Sequence, residues 1–158
     1  MQKKKKYISK DDALLKLQAY CAYQDRCHSE VRSKLLDLGI YGDDLEEIIV
    51  ALIEDNFLNE ERFAKSYARG KFRMKQWGRL KIRRELKFRK ISDYCIRKAM
   101  EEIEEDDYRK TLKEVILKKK NLTKEPNAYK MRVKLIRYVS GRGYEMEVIK
   151  DVINELVF

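Results

Sequence analysis

The sequence predicts an all-α fold of three tandem three-helix repeats that form an elongated, curved array. The 158 residues are 44% hydrophobic and 41% charged with a single Pro and six Gly, so the frequent turn residues of an all-β sandwich are missing. No segment alternates apolar and polar residues for long, and apolar residues recur at helical spacing instead. The same helical unit also recurs three times along the chain, which is the mark of a repeat fold.

The first unit contains three predicted helices joined by short turns. The first helix follows Ser9, whose hydroxyl can accept hydrogen bonds from the first backbone N–H groups. A second helix opens at Ser29 and stops at Gly39, a residue that tolerates the left-handed conformation after a helix. The third opens at Asp43 or Asp44, where an acidic side chain is favourable at a helix N-terminus.

The second and third units emerge when Gly39, Lys90 and Gly143 are aligned, at spacings of 51 and 53 residues. Six columns of apolar residues then agree in all three units, and this agreement sets the register of the predicted repeats. The columns are Val31, Ile82 and Leu135; Leu35, Leu86 and Val139; Ile40, Ile91 and Tyr144; Leu45, Ile96 and Ile149; Ile49, Met100 and Ile153; Leu52, Ile103 and Leu156.

The predicted repeat boundaries are 1–57, 58–106 and 107–158. In the third unit, a longer connection around 121–127 holds the only proline and interrupts the register of the preceding helix. That helix is marked by an apolar stripe of Tyr108, Leu112, Val115 and Ile116. Tandem repeats pack mainly on their neighbours, so a long surface is expected rather than one deep cleft. A single nine-helix globule with accidental periodicity is the alternative.

Positive charge is concentrated in the second unit. The whole chain carries a formal net charge of +10, but residues 62–98 alone hold 15 Lys and Arg against 2 acids. Residues 1–61 are net −4 and residues 99–158 are net +1. Positive charge at this density attracts phosphate backbones or a carboxylate-rich protein groove. The alternative is a solvated helix face, the commoner origin of short charge runs.

The candidate contact residues lie at or beyond the end of the fourth predicted helix and along the fifth. Among them, Trp77 at the intervening turn could stack on a base or anchor a protein interface, although a single Trp more often closes a seam between helices. The candidates are Arg69, Lys71, Arg73, Lys75, Trp77, Arg79, Lys81, Arg83, Arg84, Lys87, Arg89 and Lys90.

No residue set points to catalysis, a cofactor or a metal. The three cysteines and the lone His28 lack zinc-ligand spacing, and neither a nucleophile triad nor a Gly-rich phosphate loop is present. The acidic run 101–107 could be imagined as a metal site, but a solvated linker and the first turn of helix seven explain it better. We expect a protein that is not an enzyme.

The sequence also predicts a cytoplasmic protein without a membrane anchor. Its longest aliphatic run, residues 48–53, is far too short to span a bilayer. Acidic residues follow the lysines of the N-terminus where the apolar stretch of a secretory signal would begin.

Three segments together resemble the RecX family of bacterial regulators of the RecA recombinase. Residues 24–35 (QDRCHSEVRSKL) are similar to that family's R-x-x-S-x-x-E-L-R-x-K-L opening. Residues 56–64 (NFLNEERFA) are similar to its G-x-[LI]-[DN]-D-x-R-[FY]-A stretch, and residues 77–86 (WGRLKIRREL) to its G-x-x-x-I-x-x-E-L stretch. Asn56 and Lys90 stand where that family usually has glycine.

The resemblance implies three tandem three-helix repeats and binding to RecA filaments on single-stranded DNA. Family members are understood to lie in the filament groove and to inhibit ATP hydrolysis, strand exchange and filament growth. We therefore expect residues 69–90 to carry the central electrostatic contact of a monomer. An autonomous DNA-binding module that competes for DNA is the alternative, and a helical scaffold for another acidic protein is a further one.

Overall fold

The computed structural model describes residues 8–156, which form nine α-helices and contain no strand. The all-α repeat fold predicted from the sequence is confirmed. The helices are α1 (Lys10–Tyr23), α2 (His28–Asp37), α3 (Gly42–Glu54), α4 (Glu60–Lys75), α5 (Arg79–Phe88), α6 (Asp93–Met100), α7 (Glu105–Leu122), α8 (Ala128–Gly141) and α9 (Met146–Glu155).

The helix starts are close to their predicted positions, with small corrections. Ser9 caps α1, because its Oγ accepts a hydrogen bond from the Asp12 N–H at 3.1 Å. The helix predicted to open at Ser29 begins one residue earlier, and the Ser29 hydroxyl lies 3.1 Å from the Cys27 Sγ instead of capping the helix. The third helix begins at Gly42, ahead of the acids that fill its first turn.

Each repeat uses the same turn between its second and third helices. Gly39, Lys90 and Gly143 adopt φ angles of 82°, 61° and 97°, which are left-handed in all three cases. The residue after each donates its N–H to a carbonyl five residues earlier, at 2.9, 3.1 and 3.3 Å, as a Schellman motif requires. This shared geometry confirms the register of the alignment. All of the aligned apolar residues are buried except Met100 and Leu156, which are partly buried.

The hydrophobic core divides into two clusters rather than three. One cluster fills the first repeat, and the other runs without a break through the second and third repeats. Cys27, in the turn before α2, belongs to the second cluster. The first repeat also contacts α4 through Asp25, which accepts hydrogen bonds from Arg62 Nε at 2.7 Å and Ser66 Oγ at 2.9 Å. The second and third repeats are thus the more tightly fused pair.

The second and third repeats meet through their backbones. The Gly78 N–H donates to the Arg142 carbonyl at 2.9 Å, and the Leu80 N–H donates to the Gly143 carbonyl at 2.9 Å. A Cβ on Gly78 would lie 2.2 Å from the carbonyl carbon of Gly143, so only glycine permits this approach. The turn between α4 and α5 is thereby docked on the turn between α8 and α9.

Gly78→Ala should therefore lower the free energy of unfolding by about 2–4 kcal/mol, because the new methyl group forces the two turns apart and breaks their hydrogen bonds. Urea unfolding measures the change. Gly70→Ala is the matched control, since Gly70 lies inside α4 with nothing within 4 Å of its Cβ position. The control should gain about 0.5–1 kcal/mol from the helix preference of alanine. Equal stability of the two variants would contradict the close approach.

Tyr144, which lies in the turn between α8 and α9, provides a pH test of the same contact. Its hydroxyl donates to the Gln76 carbonyl at 2.9 Å, and burial raises the pKa of Tyr144 to about 12. The folded state therefore holds this proton above pH 10, where the unfolded chain releases it, and stability from Tyr144 declines as the pH rises.

We expect the stability difference between the wild type and Tyr144→Phe to narrow between pH 10 and 12, by up to about 2 kcal/mol. Urea unfolding of both proteins at several pH values across that range measures the difference. A constant difference would show that the phenol is not held protonated by the junction.

Candidate functional site

The twelve candidate residues lie along α4, the following turn and α5. Arg69, Lys71, Arg73 and Lys75 all lie within α4, rather than partly beyond its end as the sequence suggested. Six of the twelve are exposed, and within residues 8–156 none of these six has a carboxylate close enough to form an ion pair. The six are Arg73, Lys75, Arg83, Arg84, Lys87 and Lys90.

The outer face of α5 is a basic surface whose cations have no ion-pair partner among residues 8–156. Ile82 and Leu86 point into the core, which turns Arg83, Arg84 and Lys87 outward at helical spacing. We call these three residues the α5 basic face. Three cations on about one helical turn, with no carboxylate partner in the part of the chain that the structure describes, present a concentrated positive charge to a ligand.

Arg79 holds the structure together instead of facing solvent. Its guanidinium pairs with Glu145 at 2.9 Å and with Glu105, and it lies 3.8 Å above the centre of the Tyr108 ring. The Arg79 backbone N–H donates to the Tyr108 hydroxyl at 3.0 Å, and that hydroxyl donates to Glu145. Burial, followed by the hydrogen bond to Glu145, raises the pKa of Tyr108. Arg79 therefore ties α5 to the third repeat.

Two further candidate arginines are also engaged within the fold. Arg69 pairs with Glu102 at 3.7 Å. Arg89 donates to the Glu85 carbonyl at 3.0 Å at the end of α5, and its guanidinium lies 4.8 Å from the centre of the Tyr67 ring. The charges of these side chains are partly neutralised or used internally, so they contribute less to an external field than the α5 basic face.

Trp77 is partly buried against the core shared by the second and third repeats. Its ring meets Tyr67 edge-on at 6.5 Å between centroids. Two candidate lysines lie over the same ring, with the Nζ of Lys81 4.3 Å and that of Lys71 5.0 Å from its centre. The side chain thus lies at the seam between repeats, and its π surface is already occupied by cations.

The structure places basic residues of the third repeat beside this tryptophan, which the sequence analysis missed. Met74, Lys75, Gln76 and Trp77 meet α7 and α8 around a cavity of about 400 Å³, which we call the junction groove. Its other lining residues are Val115, Lys118, Lys119, Leu122, Tyr138 and Arg142. The only sequence signal for them is the lysine run that ends α7.

The described part of the chain matches neither the pattern of a metal site nor that of a membrane-spanning helix. No group of three or more His, Cys, Asp or Glu within residues 8–156 is arranged to hold a metal ion. In the same residues, no helix is long and apolar enough to cross a bilayer. All three cysteines are buried free thiols, and burial raises the pKa of Cys21 and Cys27.

These features define an all-α repeat protein whose second repeat presents a basic surface. Residues 59–100 match the family model of the second three-helix domain of RecX, and residues 105–153 match that of the third. The two matches follow the second and third repeats in order and together cover more than half of the chain. The chain belongs to the RecX family.

Relatives and solved structures agree with this assignment. The chain is 29% identical over 133 residues to the regulatory protein RecX of Clostridium perfringens, and the match covers 83% of this chain and 62% of that protein. The RecX of Bacillus mycoides is 26% identical over 144 residues, covering 91% of this chain and 53% of the relative. The chain thus spans between half and two thirds of these relatives. A crystal structure of RecX from Lactobacillus salivarius shares the fold, with a TM-score of 0.85 at 24% identity over 93% of this chain and 96% of that one.

The stability losses of Arg79→Ala and Arg83→Ala should distinguish an arginine that holds the fold from one that only lies on the surface. We expect Arg79→Ala to lower the free energy of unfolding by about 2–4 kcal/mol, because Glu145 loses its ion-pair partner and the Tyr108 ring loses the guanidinium above it in a mostly buried site. Arg83→Ala should change it by less than about 0.5 kcal/mol, since Arg83 is exposed. Urea unfolding of both variants is the measurement, and similar losses would contradict the distinction.

Proposed function

We propose that this protein binds RecA recombinase filaments on single-stranded DNA and mainly inhibits their ATP hydrolysis, strand exchange and growth. It acts by binding, as a cytoplasmic monomer, without catalysis of its own. Membership of the RecX family supports the proposal, together with the basic second repeat. The single observation that carries the contact assignment is the α5 basic face, which is exposed and unpaired within the described residues.

The α5 basic face suits a long polyanionic partner for a physical reason. Its cations are exposed, and no carboxylate within residues 8–156 has to be displaced before an external one binds. A carboxylate-rich protein groove and a phosphate backbone would both gain from such a surface, and both gains weaken as salt screens the charges. Arg79, Arg69 and Arg89 are assigned instead to holding the repeats that present this face.

A second candidate function follows from the same unpaired cations. The protein could bind DNA phosphates on its own and affect RecA only by competing for DNA. That mechanism requires strong binding to bare single-stranded DNA, with an affinity that falls steeply between low and moderate salt. A filament regulator requires binding that depends on RecA.

The experiment that separates the two is single-stranded-DNA-dependent ATP hydrolysis by the host's RecA, titrated with this protein up to an equal molar ratio. Binding to bare DNA is measured at the same salt concentration by anisotropy of a labelled oligonucleotide. Inhibition at ratios that leave most of the DNA uncovered supports the filament regulator. Inhibition that tracks DNA occupancy supports the competitor.

Reversing the charge of the α5 basic face tests the contact assignment. The triple variant Arg83→Glu, Arg84→Glu, Lys87→Glu should need at least about tenfold more protein to inhibit RecA, because three attractive contacts become repulsive. Its melting temperature should stay within about 3 °C of the wild type, since the three side chains are exposed.

The matched control changes the net charge equally at exposed lysines on other helices, with Lys16→Glu, Lys113→Glu and Lys150→Glu. If charge at the α5 basic face matters, the control should inhibit nearly as well as the wild type. Equal loss of inhibition in both variants would assign the effect to overall charge and not to this face.

A further inference from the structure

The junction groove combines a positive lining with exposed apolar side chains. It is formed where the C-terminal ends of α4 and α7 meet α8, and its volume is about 400 Å³. Met74 and Leu122, at the ends of α4 and α7, are 84% and 74% exposed. These two side chains leave uncovered apolar surface at the groove.

Charge in the groove is of one sign. Lys75, Lys118, Lys119 and Arg142 line it, and the described lining residues include no Asp or Glu. Lys75 and Lys118 are exposed and have no ion-pair partner within residues 8–156. Four cations around a small concave surface raise the local concentration of an anionic ligand.

Arg142 lines this groove and retains unused hydrogen-bonding capacity. One of its terminal nitrogens donates to the Lys75 carbonyl, whereas its Nε is buried and has no acceptor among the described residues. A buried guanidinium donor without an acceptor costs free energy. A carboxylate bound in the groove would place acceptor oxygens beside the guanidinium, and charge-assisted bonds of this kind are among the stronger ones in proteins.

We propose that the junction groove binds an acidic peptide segment that carries an apolar anchor side chain. The anchor packs between Met74 and Leu122, and the carboxylates of the segment pair with Lys75, Lys118 and Arg142. The binding surface is built jointly by the second and third repeats, so it exists only while their junction is intact. This site lies apart from the α5 basic face, and the proposal does not depend on binding to RecA.

The lining favours a peptide over a nucleic acid. Single-stranded nucleic acids bind where aromatic rings offer free faces for base stacking. The Trp77 ring carries the Nζ groups of Lys81 and Lys71 at 4.3 and 5.0 Å, and Tyr138 carries that of Lys119 at 4.6 Å. The uncovered groups are the thioether of Met74 and the aliphatic side chain of Leu122, which pack well against apolar side chains.

The fluorescence of Trp77 reports directly on binding, because Trp77 is the only tryptophan of the chain and lines the groove. The probe is a synthetic peptide of about twelve residues in which glutamates flank a Leu-Phe pair, with both ends blocked. It is titrated into the full chain while Trp77 fluorescence is recorded. Two comparison ligands are the same peptide with Ser-Ser replacing Leu-Phe and an oligothymidine of equal length.

We expect a saturable fluorescence change with the Leu-Phe peptide and at least about tenfold weaker binding of the Ser-Ser peptide. Lys75→Glu with Lys118→Glu should weaken binding of the Leu-Phe peptide by about tenfold or more. The control Lys113→Glu with Lys150→Glu carries the same charge change on exposed positions outside the groove and should bind nearly as the wild type. Unchanged melting temperatures confirm that each variant is folded.

Three results would overturn the proposal. Equal binding of both peptides would show that no apolar anchor is recognised. Equal weakening in the groove variant and the control would show that only overall charge matters. Tighter binding of the oligothymidine than of the Leu-Phe peptide would assign the groove to nucleic acid. None of these results bears on inhibition of RecA, which neither requires nor excludes a peptide in the junction groove.

Discussion

The close approach of Gly78 to Gly143 is the constraint on which the rest of this structure depends. The N–H groups of Gly78 and Leu80 donate to the carbonyls of Arg142 and Gly143, both at 2.9 Å, in an approach that no side chain on Gly78 would allow. This contact lets one hydrophobic core run through both repeats. It also brings Tyr108 within reach of the Arg79 backbone and Glu145, a polar network whose members are 29 to 66 residues apart in sequence. The junction groove lies beside the same contact, so its cations and apolar residues come together only because the two turns dock.

The first repeat is attached by a different kind of contact. It has its own core and meets α4 through the carboxylate of Asp25, which accepts from Arg62 and Ser66. Each hydrogen bond to a partly exposed carboxylate contributes little to the free energy of unfolding compared with the burial of a continuous apolar core. The second and third repeats therefore form a fused pair, and the second repeat is strongly basic. The net acidic first repeat is joined to this pair by weaker contacts. Such an arrangement fixes α5 to the third repeat through Arg79, while the first repeat is positioned by these polar contacts and by the buried Cys27.

Local signals explain what could be predicted from the sequence, and long-range contacts explain what could not. Helix number, the buried stripes and the three equivalent turns follow from periodicity and from a recurring left-handed residue, both of which are local. The alignment predicted that Lys90 occupies the position of Gly39 and Gly143, and the structure shows the same left-handed turn at all three. The role of Arg79 was not predictable, because its partners Glu105 and Glu145 come from distant helices. The junction groove was missed for the same reason, since Lys118 and Arg142 approach Trp77 only after the repeats pack.

Lys90 illustrates how stability and charge compete in the second repeat. It adopts φ 61°, a left-handed conformation that is unfavourable for a residue with a Cβ by about 1 kcal/mol. The RecX pattern usually has glycine at this turn, and glycine would remove the strain. Lysine instead places an exposed cation two residues after the end of α5 and three residues after Lys87. The turn still forms, because the Ile91 N–H bonds to the Leu86 carbonyl at 3.1 Å and Ile91 is buried in the shared core. The buried core thus tolerates a strained turn, and this turn extends the positive surface of the second repeat by one charge.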